Sequence, residues 1–109
     1  MDKETGKKLE HLQLIEQNLQ ALLVQKQQLQ AQLIEIESAL QELKNTKQTF
    51  KIIGNIMVSS NKETLKKDLE QKKETIELRI KSIEKQEKDL REKAGGMQSE
   101  IVKELKPKK

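Results

Sequence analysis

The sequence lacks several residue types on which common activities depend. Its 109 residues contain no cysteine, no tryptophan and no tyrosine, and only one phenylalanine and one histidine. The absence of cysteine excludes a disulfide framework, a thiolate metal site and a cysteine nucleophile, and it favours an intracellular protein. His11 has no cysteine and no preorganised carboxylate cluster to act with, so we expect an exposed surface residue. We therefore predict no enzyme activity, no metal site and no cofactor.

Long apolar runs are also missing. No stretch approaches the roughly 18 residues that a bilayer-spanning helix requires, and the charged N-terminus has no signal-peptide core. We therefore expect a soluble, cytoplasmic protein. With 33% hydrophobic and 37% charged residues, the chain can form a narrow apolar seam but not an ordinary globular core.

The first half of the chain contains a heptad repeat that predicts a helix over residues 9–45. Every a and d position except one is aliphatic. The a positions are Leu12, Leu19, Lys26, Leu33 and Leu40, and the d positions are Ile15, Leu22, Leu29, Ile36 and Leu43. The exception, Lys26, either sets register or partner choice or extends its amine to water.

The second half predicts another seam-bearing helix over residues 61–105. Leu69, Ile76, Ile83, Leu90 and Met97 recur every seven residues. Either Ser60, in a capping box with Glu63, or Asn61 caps its start. Pro107 ends it, and we expect residues 106–109 to form a disordered basic tail.

Between the helices, residues 49–59 predict a β-hairpin. Gly54-Asn55 fits a two-residue type II′ turn, in which Ile53 faces Ile56 and Ile52 faces Met57. Both faces of this ribbon are apolar near the turn, and a two-stranded ribbon is marginal in water, so it needs strands from other chains. The residues predicted to mediate oligomerisation are Phe50, Ile52, Ile53, Gly54, Ile56, Met57 and Val58. The alternative is a hairpin that only caps the helix pair of a monomer or dimer.

The fold class is therefore mainly α: a long antiparallel coiled-coil helical hairpin, one domain of residues 1–109, with a short β-hairpin at the helix connection. At this point the segment FKIIGNIMVSSNKETLKKDLEQKKETIELRIKSIEKQE, residues 50–87, resembles the β-type subunits of prefoldin. The shared pattern is an aromatic residue, a lysine, an Ile-Gly turn, an Ile-Met-Val strand and a Lys/Glu-rich helix containing Glu77-Leu78-Arg79.

The resemblance implies a hexamer of two α-type and four β-type subunits whose hairpins assemble into β-barrels. It further implies an ATP-independent chaperone that holds unfolded proteins at its coiled-coil tips and delivers them to a group II chaperonin. Closing the hairpins into barrels would also remove the exposed strand edges.

Apolar residues near the chain ends exceed what one seam needs, and we predict that they bind clients. They are Leu9, Leu12, Leu14, Ile15, Leu19, Ala94, Met97, Ile101, Val102 and Leu105. Leu14 and Val102 fall off the seam positions. Gly95-Gly96 lowers helix stability there, so we expect the last turns to fray or bend. Several of these residues, such as Leu12 and Met97, could instead only close the coil.

Two other classes of function remain open from the residues alone. The net charge of +4 and a basic C-terminus allow weak, salt-sensitive nucleic-acid binding, but two arginines and one aromatic residue argue against any specific binding. A structural coiled-coil scaffold without clients is the alternative to the chaperone.

Overall fold

The chain folds into two long helices separated by one β-hairpin in this computed structural model. The elements are α1 (Lys3–Leu43), β1 (Thr49–Ile53), β2 (Ile56–Ser60) and α2 (Lys62–Leu105). The structure describes residues 3–46 and 49–105, without the side chains of Thr49, Val58 and Ser60. The tail predicted at 106–109 lies outside the described residues. The predicted fold class of long helices around a short hairpin is confirmed.

Two compact units divide the chain. The first unit comprises Met1–Lys26 with Lys81–Lys109, and the second unit is Gln27–Ile80. In the first unit, Lys8 contacts Glu104 and Lys26 contacts Glu87. Later residues of α1 therefore contact earlier residues of α2. The two helical segments of this unit are therefore antiparallel, as predicted.

The predicted seam of α1 is the side that packs. All ten heptad positions from Leu12 to Leu43 are buried or half-buried, and Lys26 is among them. On α2 the buried aliphatic residues are Ile76, Ile83 and Ile101. A helix with so narrow a stripe gains stability mainly from this packing, because its remaining surface is polar.

Helix α1 begins at Lys3, six residues before the predicted start at residue 9. The reason is that its first turns pack through polar side chains, since Thr5 is buried and Lys8 is half-buried. At the other end, the backbone amides of Lys44 and Asn45 donate to the carbonyls of Gln41 and Glu42, three residues back. These bonds satisfy carbonyls that the last helical turn would otherwise leave unpaired.

The start of α2 distinguishes between the two predicted caps. The backbone amide of Glu63 donates to Oδ1 of Asn61 at 2.8 Å, so Asn61 is the capping residue. The helix then runs to Leu105 and passes through Gly95 and Gly96 without a break. The turns that follow the glycine pair contain the buried Ile101 and the ion pairs that Glu100 and Glu104 make with Lys8, and fraying or bending at the pair stays a prediction.

The hairpin has the predicted register. Ile53 pairs with Ile56, Ile52 with Met57, and Phe50 with Ser59 in a two-stranded antiparallel sheet. Gly54 has φ of 61°, and no other described residue has a positive φ. Only the first turn residue therefore needs glycine, which agrees with a type II′ turn rather than a type I′ turn.

Candidate functional site

The hairpin presents apolar side chains that are more than half exposed. Between 52% and 67% of the surface of each of five residues is exposed: Phe50, Ile52, Ile53, Ile56 and Met57. Because neighbouring residues on a strand point to opposite faces, the exposed side chains lie on both faces of the ribbon. Gly54 forms the turn, and Val58 pairs with Lys51 in the ladder, although its side chain lies outside the described part of the structure.

No third strand pairs with the hairpin edges in the part of the chain that the structure describes, since the sheet there contains only β1 and β2. An unpaired edge and an exposed apolar face are the features that strand addition from another chain would cover. Fully burying five such side chains is worth on the order of 10 kcal/mol as an upper estimate. The hairpin therefore has the composition and geometry of an assembly surface.

The residues predicted to bind clients separate into three groups. Ile15 and Ile101 are buried, and Leu14, Val102 and Leu105 are exposed. The half-buried residues are Leu9, Leu12, Leu19, Ala94 and Met97. The exposed group lies off the seam and is available to another molecule as the chain stands, whereas the buried pair closes the coil.

Four polar residues, which we call the terminal clasp, join the first turns of α1 to the last turns of α2. They are Thr5, Lys8, Glu100 and Glu104. The Thr5 hydroxyl donates to Oε2 of Glu104, and Nζ of Lys8 lies 2.6 Å from Oε1 of the same carboxylate. Lys8 also lies 3.4 Å from Oε2 of Glu100. The hydrogen bond from Lys8 to Glu104 raises the pKa of the Lys8 amine above its usual value.

The terminal clasp was missed by reasoning from apolar periodicity. None of its residues is aliphatic, so a search for the hydrophobic seam ends at Leu9 on α1 and does not register the glutamates on α2. The signal available in the sequence was charge complementarity, because Lys8 near one end of the chain can reach two glutamates one helical turn apart near the other.

Lys26, the exception in the heptad repeat, has a buried partner. Its Nζ lies 2.8 Å from Oε1 of Glu87, whose side chain is 2% exposed, while that of Lys26 is 17% exposed. Arg91, one turn further along α2, approaches the other carboxylate oxygen of Glu87 at 3.8 Å. Lys26 therefore does not simply extend to water, and Glu87 occupies a seam position that the apolar pattern did not reveal.

No cluster of three or more histidine, aspartate or glutamate residues that could hold a metal ion occurs among residues 3–46 and 49–105. His11 is exposed, as predicted. Over the same part of the chain, neither helix is apolar enough over a sufficient length to cross a bilayer.

The fold is that of a helical coiled-coil protein whose two long helices are connected by an exposed β-hairpin. The prefoldin subunit family matches residues 6–108, and the chain belongs to that family. It is 40% identical over 99 residues to a prefoldin subunit beta of Archaeoglobus fulgidus, covering 88% of this chain and 85% of the relative. A prefoldin subunit beta of Methanospirillum hungatei is 36% identical over 101 residues, which cover 90% and 84% of the two chains.

The structural comparison agrees. The crystal structure of the prefoldin beta subunit from Thermococcus strain KS-1 is similar with a TM-score of 0.92 and 31% identity, over 98% of this chain and 96% of that one. The resemblance to β-type prefoldin subunits is therefore confirmed. Prefoldin subunits are non-enzymatic chaperones, and the β-type subunits assemble with α-type subunits into hexamers.

Proposed function

We propose that this chain is the β-type subunit of a cytoplasmic heterohexameric prefoldin, with two α-type and four β-type subunits joined through β-barrels built from their hairpins. The observation that carries the assembly is the hairpin, whose five described apolar side chains are at least half exposed on two faces beside unpaired edges. Strands of neighbouring subunits would bury those side chains and pair those edges.

The proposed activity is ATP-independent capture of non-native proteins, followed by their delivery to a group II chaperonin. Leu14, Val102 and Leu105 support the capture step, because they are exposed off-seam apolar residues in the first unit. Each offers a small contact, and several subunits in one assembly would raise the effective concentration of such contacts for one client. The burial of Ile15 and Ile101 favours the alternative for these two positions, in which they only close the coil.

The test of capture is suppression of client aggregation by the assembled hexamer. The variant Leu14→Ser/Val102→Ser/Leu105→Ser removes the exposed apolar side chains without touching a buried one, so we expect it to assemble normally and to lose most of its suppression. Leu78→Ser is the matched control, because Leu78 is also exposed but lies in the second unit. Equal suppression by the triple variant and the control would assign capture to another surface.

The test of assembly is native mass spectrometry of this chain, alone and mixed with an α-type prefoldin subunit. We expect one species with four copies of this chain and two of the partner. A mass that stays at that of a monomer or dimer after mixing would contradict the assembly and favour the structural scaffold.

A further inference from the structure

We propose that Lys26 and Glu87 are positioning residues that set the register of α1 against α2 in the first unit. Their ion pair lies in the seam, with 2.8 Å between Nζ and Oε1 and only 2% of the Glu87 side chain exposed. A carboxylate so far removed from water is tolerated only where a cation meets it. The pair therefore discriminates between alignments of the two helices.

The apolar residues of the seam discriminate poorly between alternative registers of α1 against α2. Leucine recurs at seven-residue intervals on α1, at Leu12, Leu19, Leu33 and Leu40, and aliphatic residues or methionine recur at the same interval on α2. Sliding one helix past the other by one heptad would again place aliphatic side chains against aliphatic side chains. Hydrophobic burial alone thus favours the observed register only weakly over its neighbours.

A slip of one heptad would break the ion pair in either direction. Glu87 would then face Leu19 or Leu33, and Lys26 would face Ala94 or Ile80. Lysine can extend its amine to water, but Glu87 has a shorter side chain and would lose its closest cation. Arg91 offers only partial compensation, since it lies 3.8 Å from Glu87 and is itself 66% exposed.

The connection between the helices does not by itself prevent such a slip. Five residues separate Leu43 from Thr49, and one residue separates Ser60 from Lys62. Five extended residues reach about 17 Å, which exceeds the shift of about 10.5 Å that one heptad produces. The length of the connection therefore does not exclude a slip, so contacts within the coil are needed to select the register.

The register of the two helices also determines whether the residues of the terminal clasp meet. Lys8 meets both Glu100 and Glu104 only in the observed alignment, and a slip of seven residues would move it a full heptad away from both. The positioning pair therefore decides which side chains face each other near the chain ends, including the candidate client-binding residues.

The experiment measures register directly in the full chain. Because the sequence has no cysteine, Gln13→Cys and Lys85→Cys allow two spin labels at exposed sites that are offset along the coil. A slip of one heptad moves one label about 10.5 Å along the axis relative to the other. Pulsed dipolar spectroscopy then reports the alignment as a distance distribution, and thermal melts report whether each variant is folded.

We expect a single distance for the otherwise unchanged chain and for the charge swap Lys26→Glu/Glu87→Lys, which restores the pair in reverse. The variant Lys26→Leu/Glu87→Leu should melt at the same or a higher temperature, because leucines fill the seam, yet show a second distance. Removing the penalty for an unpaired buried carboxylate should reduce the preference for the observed register by about 100-fold or more.

A matched control removes an exposed pair of the same residue types. Lys73 lies 3.8 Å from Glu37 in the second unit, with side chains 38% and 50% exposed. Glu37→Leu/Lys73→Leu should leave the single distance unchanged. The proposal is overturned if Lys26→Leu/Glu87→Leu keeps the single distance of the unchanged chain, if the control variant gains the second distance equally, or if the charge swap fails to retain the original one.

Discussion

The hairpin and the first unit differ in how far their isoleucines are exposed. In the hairpin, Ile53 and Ile56 face each other across the turn and both remain mostly exposed. In the first unit, Ile15 and Ile101 are buried, and the terminal clasp joins the helix ends with polar contacts. Isoleucine is exposed in the hairpin and buried in the first unit, and this contrast supports the proposal that the hairpin residues contact another chain.

The largest expected effect comes from placing charge on the exposed hairpin. Ile53→Asp/Ile56→Asp puts two carboxylates opposite each other where an assembly would bury isoleucines, so we expect complete loss of the hexamer. Native mass after mixing with an α-type subunit measures the loss, and circular dichroism should show unchanged helix content.

A suitable control is Asn55→Asp, which adds one charge at the same turn but removes no apolar side chain. It should retain assembly. If both variants assembled normally, the hairpin would not be the interface. The exposure of its isoleucines would then not be explained by assembly.

The next largest effect is a difference in stability between substitutions at two adjacent residues of the first unit. Ile101 is 6% exposed and Val102 is 54% exposed. Ile101→Ala should lower the free energy of unfolding by about 2 kcal/mol, because it removes buried methyl groups, whereas Val102→Ala should change it by less than about 0.5 kcal/mol. Urea denaturation measures both.

The same two variants should exchange rank in a client aggregation assay normalised to folded protein. We expect Val102→Ala to reduce suppression more than Ile101→Ala does. The opposite ranking would show that the buried seam, rather than the exposed surface, contacts clients.

A smaller stabilisation is expected at the glycine pair in α2. A Cβ added to Gly95 or Gly96 would meet no atom within 4 Å, so alanine fits both positions without strain. Gly95→Ala/Gly96→Ala should raise the free energy of unfolding by about 1–2 kcal/mol through helix propensity. A loss of stability in urea denaturation would mean that α2 needs a conformation at this pair that alanine disfavours.

The smallest effect concerns the terminal clasp and pH. The pKa of Lys8 is raised in the folded chain, chiefly by its hydrogen bond to Glu104, from an ordinary value of 10.5. Its stabilising contribution is therefore fully present below about pH 10.5 and is lost as pH rises through the folded pKa. Lys8→Met should melt at a slightly lower temperature at neutral pH, and the difference should vanish in strong alkali.

Lys7→Met is the matched control for that experiment, because Lys7 is the exposed neighbour on α1. It should show little difference from the unchanged chain at either pH. A difference for Lys8→Met that persisted or grew in alkali would contradict the assigned ion pair.

Sequence patterns predicted the fold where one physical rule governs the structure. The heptads identified the packed side of α1, and Gly54-Asn55 predicted the turn and the complete ladder register, because a two-residue loop leaves no alternative pairing. The pattern failed where polar residues pack. The start of α1 at Lys3 depends on Thr5 and Lys8, and the partner of Lys26 is a glutamate that no apolar repeat detects.

The candidate sites were predicted unevenly for the same reason. Alternation along two short strands places apolar residues on both faces of the hairpin. Their sequence positions were therefore sufficient to predict that they are exposed. Among the ten candidate client-binding residues, the heptad pattern separated Ile15, a d position that is buried, from Leu14 and Val102, which fall off the seam and are exposed. Their role in binding stays a prediction.

The buried ion pair also constrains how this chain can diverge. A mutation of Lys26 to an apolar residue leaves Glu87 buried without its closest cation, and a destabilisation of about 3 kcal/mol would deplete the folded protein in the cell. Glu87 can mutate first at lower cost, because Lys26 retains a route to water. Among descendants of this sequence, we expect substitutions at position 87 to precede those at position 26. The two positions should therefore evolve together and in that order.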